Sequence, residues 1–365
     1  PSQYFYSYPL FNRGPRRRIQ IMSTRSRFLC ALAILAGIAL AGFPGCKGGS
    51  GDGNGGGGGE SGSPEFVSLG TAQIGGAFYS VGAAISDALN QGKEAGGWRK
   101  ATAEATGGSL ENYRLLESGD IQIGMANSSI SFFAVRGEGG FTKKYEVQSI
   151  MTIFPLIGMF VTKEGTGIET LADIKGKRIV VGPEGAGFEY FLGPVLEAHG
   201  VTYDDFEPVY AGFSTSVGYL QDDSVAATFL GGGKVSPAIT SAASTMDILL
   251  IPYGETQRQK LVADFPSFSA VTVAAETYKG QATDFSGLNV GSAHLLVRSD
   301  ADEDFVYNAT KSIFENRIKI AETHAAGKAI TEKNVVRNVG TDFHPGAIRY
   351  YKELGIWPDD QADGS

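Results

Sequence analysis

The sequence predicts an α/β protein of two lobes, on three observations. From residue 65 onward, short apolar strands alternate with helices. The alternation falls into two separate series. Glycine-bearing loops stand where strands give way to helices. Repeated strand–loop–helix units favour a mainly parallel sheet covered by helices.

The first series opens with a strand at 65–71 (EFVSLGT), a Gly-rich turn and a helix over 79–90. A second strand is expected at 99–104. After Thr106-Gly107-Gly108-Ser109 a helix runs to about residue 117, and a third strand covers 121–126. The second series starts with the apolar strand 156–162 (LIGMFVT) and a short helix at 171–175. A strand at 178–182 then leads into Pro183-Glu184-Gly185-Ala186-Gly187. A helix over 188–199 is stopped by Gly200. Another strand, 225–230, ends at Gly231-Gly232-Gly233. The strand 291–298 leads back to a long helix over 303–324. Crossovers between the lobes are expected near 155–162 and 286–296. The expected division is 64–158 with 290–365 for lobe I and 159–289 for lobe II.

The first 46 residues read as a leader and are set aside from fold reasoning. Arg16, Arg17, Arg18, Arg25 and Arg27 precede an apolar run, FLCALAILAGIALAGF. That run is short for a bilayer span, which needs about 20 residues. It ends at Phe43-Pro44-Gly45-Cys46, which resembles a lipobox, so Cys46 is the expected lipidation site. Pro44 is unusual at its position, and a non-lipidated signal peptide is the alternative. Met22 sits just ahead of the charged region, so residues 1–21 read as upstream sequence. Residues 47–63, KGGSGDGNGGGGGESGS, have nothing to bury. Such a chain is a flexible tether with a reach on the order of 20–25 Å.

Six basic and no acidic residues precede Cys46, leaving 25 Lys and Arg against 39 Asp and Glu, a formal charge of −14. That balance excludes a nucleic-acid partner, which needs a basic footprint. The two cysteines, Cys30 and Cys46, both lie in the leader region, so the domain has no disulfide, thiol nucleophile or Cys-based metal site. None of the histidines at 199, 294, 324 and 344 forms an H-x-x-x-H or H-E-x-x-H pair, so no zinc site is expected. His344 reads as a structural residue ahead of a terminal helix. No G-x-S-x-G elbow and no local triad appear, and neither catalysis nor a cofactor is expected.

Three loops could carry binding chemistry: Gly75-Gly76-Ala77-Phe78-Tyr79, Thr106-Gly107-Gly108-Ser109 and Gly185-Ala186-Gly187-Phe188. Glycine lets backbone approach a ligand closely. The helix behind each loop offers unsatisfied N–H groups and a partial positive charge, which suits carboxylate or phosphate. In parallel α/β sheets ligands gather beyond the carboxyl ends of the strands, where these loops fall. The alternative is capping alone, with Thr106 or Ser109 as the helix cap and Glu111 completing it. None of the loops matches a P-loop or a dinucleotide fingerprint.

Four blocks carry a family likeness: LGTAQIGGAFYSVGAAI (69–85), ATGGSLENYRLLESGDIQIGMAN (105–127), LADIKGKRIVVGPEGAG (171–187) and HPGAIRYYKELG (344–355). In this order they resemble the TAXI family of solute-binding proteins, which serve tripartite ATP-independent periplasmic (TRAP) transporters. The resemblance covers most of 65–358. It implies an α/β, two-lobed periplasmic-binding-protein type II fold with two hinge strands, and a small acidic ligand of the glutamate, dicarboxylate or oxo-acid class. By motif match it implies ligand contacts from Thr71, Gly76, Phe78, Tyr79, Thr106, Gly107, Gly108, Ser109, Asn112 and Asn127 on one side of a cleft. Gly185, Ala186, Gly187, Phe188 and Gly232 would face them. It also implies a TRAP-type permease as partner and a periplasmic or cell-surface location; the membrane anchor is expected from Cys46, and a monomer is expected.

Where that family usually has Gly-Ser-Gly-Thr, this chain has Gly185-Ala186-Gly187-Phe188, losing two hydroxyls and gaining a ring. Asn127 stands where a longer Gln is common. The expected ligand therefore has an apolar or aromatic part beside its carboxylate. Two other functions fit the same scaffold: a lipoprotein sensor serving a signalling partner, and a secreted enzyme.

Overall fold

The computed structural model describes residues 63–361, apart from Gly75, Lys234 and Asp360. Cys46, the leader and nearly all of the tether lie outside the described residues. The first lobe is laid down by β1 (Phe66–Gly70), α1 (Ala77–Gln91), α2 (Lys93–Gly96), β2 (Lys100–Glu104), α3 (Ser109–Ser118), β3 (Ile123–Asn127) and α4 (Ser128–Ala134). The long strand β4 (Val147–Lys163) then crosses to the second lobe. There follow β5 (Arg178–Val180), α5 (Glu189–Ala198), β6 (Glu207–Val209), α6 (Phe213–Gln221), β7 (Ala227–Gly232) and α7 (Pro237–Thr245). Next come β8 (Ile248–Ile251), α8 (Glu255–Asp264) and β9 (Phe268–Val273). The chain returns along β10 (Phe285–Arg298) and ends in α9 (Glu303–Glu315), α10 (Arg317–Thr323), α11 (Glu332–Val335) and α12 (Pro345–Glu353).

The described strands form one sheet in the order β2-β1-β3-β10-β4-β7-β5-β6, with β8 on β4 and β9 on β10. Both β1–β2 and β1–β3 are parallel pairs, as are β5–β6 and β5–β7. Only β4 and β10, antiparallel to each other, run through both halves. The last part of β10 pairs with β3 and the last part of β4 with β7. The fold is the two-lobed type II arrangement with two hinge strands.

Helix α1 shows why these segments fold as they do. Val81, Ala84, Ile85, Ala88 and Leu89 fall on one helical face and are buried, the spacing of an amphipathic helix. Full burial of Ile85 or Leu89 contributes about 1.5–3 kcal/mol each. In α9 the Asp302 carboxylate accepts from Phe305 N at 2.8 Å, and Glu303 and Asp304 add negative charge to the first turn. One apolar core lies under the first lobe, around Leu69, Ile85, Leu295 and Val306. The other is centred on the second lobe around Ile179, Phe191 and Phe229 and continues into the first through Tyr113 and Leu116 of α3 and Ile130 and Phe133 of α4.

Strand β4 begins at Val147, nine residues before the strand expected at 156–162. Pro155 looks like a strand breaker in sequence, because it donates no ladder hydrogen bond. Here it is tolerated because the β4–β10 ladder is irregular around its partner Ser292. Beside it, Leu156 N donates to the Asn289 side chain at 3.1 Å instead of to a strand carbonyl. The helix expected over 303–324 divides at Asn316, whose side chain bonds back to Ser312 O at 2.9 Å and competes with the helical ladder.

Candidate functional site

The loops after β1 and β2 are tied together by their own polar side chains. Thr71 Oγ1 donates to Glu104 O at 2.7 Å, while Thr71 O accepts from Thr106 Oγ1 at 3.0 Å and Asn112 Nδ2 at 2.7 Å. Asn112 also donates to Met125 O at 2.7 Å. Thr71, Thr106 and Asn112 are thus buried fasteners between three strand ends and α3. Gly108, the N-cap of α3, has φ 105° and ψ −155°, a conformation open essentially to glycine alone.

Two of the amides expected to face an anion are engaged within this loop. Gly107 N donates to the Glu111 carboxylate, and Gly108 N to Thr106 Oγ1 at 3.1 Å. Glu111 takes the amide one residue ahead of the N-cap Gly108, which itself has no side-chain cap. The Ser109 hydroxyl turns inward and accepts from Asn127 N at 3.0 Å. The first-turn amides of Ser109 and Leu110 have no acceptor inside the helix. Asn127 caps α4, accepting from Ser129 N at 2.8 Å. It lies against Gly291 of β10, where an added Cβ would sit 2.2 Å from Asn127 Oδ1. Gly76 caps α1 and is exposed; Phe78 packs edge-on to Phe154 at 5.9 Å, and Tyr79 is half-buried.

On the second lobe, Gly185 and Gly187 have φ of 72° and 82°. Ala186 N donates back to Pro183 O at 3.3 Å, closing the turn. The Phe188 ring lies over Gly182 and against Phe191, Phe213 and Phe229, with centroids 4.9, 6.2 and 5.9 Å away. It packs into the second lobe because Gly182 has no side chain to exclude it. Gly232 pairs with Ile157 of the hinge strand.

The loops of the two lobes meet. A Cβ built on Gly187 would lie 3.1 Å from both Leu110 Cγ and Ile130 Cδ1. Gly212, the N-cap of α6, approaches Gln73 of the β1–α1 loop, with 3.8 Å from its would-be Cβ to Oε1. Tyr190 stacks on Phe141 at 4.7 Å and 25°, and Ser129 Oγ donates to Ser267 Oγ at 2.8 Å. The starts of α3 and α5 therefore converge, whereas Gly76 and Phe78 lie toward the β1–α1 side and Gly232 toward the hinge.

Two carboxylates, Glu184 and Glu189, act on the groups around the start of α5. Burial raises the pKa of Glu189, in the first turn of α5. Burial, then the Glu189 charge, pushes the Tyr190 phenol up to about 12. Tyr210 is raised by burial and by Glu189 and Glu184.

The sequence pattern missed a serine–histidine contact. Ser131 Oγ lies 2.6 Å from both His294 Nε2 and Tyr113 OH. All three are completely buried, and burial lowers His294 to about 3. His294 Nδ1 has no hydrogen-bond partner. The contact stitches α3, α4 and β10 together and offers no substrate access. No short motif could have revealed it, since its members lie up to 181 positions apart between Tyr113 and His294. His344 caps α12 by accepting from Gly346 N at 3.2 Å, as a structural residue should. Among the described residues no group of three His, Cys, Asp or Glu is placed to hold a metal.

The sequence profile of the NMT1-like family matches residues 69–355. Among solved structures, the chain is similar to a protein from Bordetella bronchiseptica RB50, with 13% identity, 82% of this chain and 92% of the other covered, and a TM-score of 0.50. It is also similar to the periplasmic aliphatic sulphonate binding protein SsuA from Escherichia coli, at 15% identity, 81% and 84% coverage and a TM-score of 0.45. PhnD1 from Prochlorococcus marinus (MIT 9301), in complex with methylphosphonate, matches at 10% identity, 80% and 96% coverage and a TM-score of 0.47. At such identities the likeness concerns the fold alone.

Proposed function

The chain belongs to the NMT1-like family, and on that premise we propose that it is an extracytoplasmic solute-binding protein, the capture component of a membrane transporter. It binds and releases a solute without transforming it. The reading places the protein in the periplasm or at the cell surface, anchored through a lipid on Cys46, as a monomer whose lobes divide near residues 158 and 290.

One observation carries it: the starts of α3 and α5, from opposite lobes, converge where Gly187 meets Leu110 and Ile130. Two lobes joined by β4 and β10 can open and close about those strands, and solute shifts the balance toward the closed form. We assign a small carboxylate-bearing solute to this cleft. The first-turn amides of Ser109 and Leu110 serve the carboxylate. Leu110, half-buried beside Gly187, supplies apolar surface for an apolar part of the same molecule. The partner in this reading is a TRAP-type permease.

Isothermal titration of glutamate, 2-oxoglutarate, an aromatic carboxylic acid, an alkanesulfonate and an alkylphosphonate tests the solute class. The expected result is binding of a carboxylate in preference to the sulfonate and phosphonate. Preference for either of the latter would replace the carboxylate assignment, and silence toward all five would remove it. A neighbouring gene for an ATPase subunit would contradict the TRAP partner.

A further inference from the structure

Away from the cleft, the C-terminal segments of the first lobe carry a cationic groove. Lys333, Asn334 and Arg337 line a hollow of about 380 Å³. Thr331 and Lys333 are shared with an adjoining hollow of about 440 Å³, which Arg317 and Lys328 also line. Among the described residues Glu332 is the one carboxylate on either wall. None of the four cations is ion-paired among the described residues. Four cations across two adjoining hollows stand out on a chain whose formal charge is −8; of these, Arg317 donates to Phe314 O at 3.0 Å and stacks on its ring.

Arg337 gives the groove its depth. It is half-buried, and its Nε is shielded from solvent with no hydrogen-bond partner. Its Nη2 donates to Ser292 Oγ in β10, opposite Pro155 where the hinge ladder is irregular. Its carbonyl accepts from Thr152 Oγ1 of β4 at 2.8 Å. Asn334 donates to Ile153 O of the same strand. The inner wall is thus bonded to both hinge strands. The shielded Nε lies out of reach of a ligand, so the donors that an oxyanion would meet are the part of Arg337 that lines the hollow and the exposed Lys333 and Lys328. Burial also lowers the Arg337 pKa, although a guanidinium stays protonated in proteins. Several Lys and Arg donors around one hollow suit phosphate, which accepts charge-assisted bonds on several oxygens.

We propose that this groove is a second binding site, specific for a phosphate group, and that its occupant acts on the hinge through Arg337 and Ser292. The phosphate belongs either to the free ion or to an anionic phospholipid headgroup. This site is separate from the cleft and shares no residue with those assigned to the solute.

The test titrates inorganic phosphate into the full chain, with sodium chloride at matched ionic strength as control. Flotation with phosphatidylglycerol vesicles, compared with phosphatidylcholine, forms the second arm. Two variants are used: Arg337→Gln, and the pair Lys328→Gln with Lys333→Gln, which leaves the Ser292 contact intact. Phosphate is expected to bind, to move the Ser292 amide resonance, and to bind about tenfold more weakly in either variant. Binding to phosphatidylglycerol vesicles alone, weakened equally by the paired variant, would assign the headgroup as the source. Absence of both interactions, or full-strength binding by the paired variant, overturns the site. An unmoved Ser292 resonance in the phosphate-bound chain overturns the action on the hinge.

Discussion

Gly187, in the loop between β5 and α5, lies directly against Leu110 in the first turn of α3: a methyl group on Gly187 would approach Leu110 Cγ to 3.1 Å. These residues belong to opposite lobes, so the contact measures how far the lobes have closed. Gly187 meets two demands at once, a left-handed backbone with φ of 82° and the absence of a side chain. Gly185, two residues earlier, has φ of 72° but nothing within 4 Å of its would-be Cβ.

That difference makes a paired experiment. Gly185→Ala and Gly187→Ala both force a side chain into the left-handed region, at about 1–2 kcal/mol each. Only Gly187→Ala adds a tight contact across the cleft, which Leu110 and Ile130 must yield to by a few tenths of an ångström. Both variants should lose a similar amount of stability in urea denaturation. Small-angle scattering should show a more open average shape for Gly187→Ala alone. Equal scattering from the two variants would mean that the Gly187–Leu110 contact does not limit closure.

Much of this geometry is legible in the sequence, and what is not has definable causes. The strand–glycine–helix loops at 106–109 and 185–188 are local patterns, and their turns form as the residues imply. The hinge strands are only partly legible, because Pro155 reads as a break until its partner Ser292 is known. In the second lobe, β6 is three residues long, and α8 buries only Leu261. Neither leaves the periodicity on which a reading depends. The destination of a side chain is the least legible feature. Phe188 follows a candidate binding loop, yet its ring is drawn to the space above Gly182, six positions earlier.

The inward turn of Ser109 yields a second prediction. Its hydroxyl satisfies the buried Asn127 N at 3.0 Å. Ser109→Ala leaves that amide without an acceptor and should destabilise the protein by about 1–3 kcal/mol. Ser109→Thr retains the oxygen and should lose less. Chemical denaturation of both variants checks this; a Ser109→Ala protein as stable as the parent would mean that Asn127 N finds another acceptor.

His294 imposes a pH dependence. Its folded pKa is lowered to about 3 by burial, against about 6.5 in the unfolded chain. The folded state therefore keeps it neutral where the unfolded state takes up a proton. Its contribution is present above pH 6.5 and is lost as pH falls from 6.5 toward 3. The slope from this one group is about 1.4 kcal/mol per pH unit. His294→Gln should flatten the stability profile between pH 6.5 and 4, whatever it does to stability at neutral pH. An unchanged slope would assign the acid sensitivity to other groups.

Glu189 imposes a pH dependence of opposite sign. Burial raises its carboxyl pKa above the unfolded value, because the ionised form is held half-buried at the start of α5. It has no ion pair with a described cation. A raised carboxyl pKa means that the stability contribution is complete below the unfolded pKa and is lost as pH rises through the folded one. Glu189→Gln removes that loss, so it should raise the melting temperature at pH 7 and leave it nearly unchanged at pH 4. The α5 N-terminus works against this gain, since it favours a negative charge by about 0.3–1 kcal/mol. The sign at pH 7 therefore decides whether desolvation or the helix terminus dominates at Glu189. A lower melting temperature for Glu189→Gln at pH 7 would give that position to the helix terminus and remove the buried-charge penalty from the cleft.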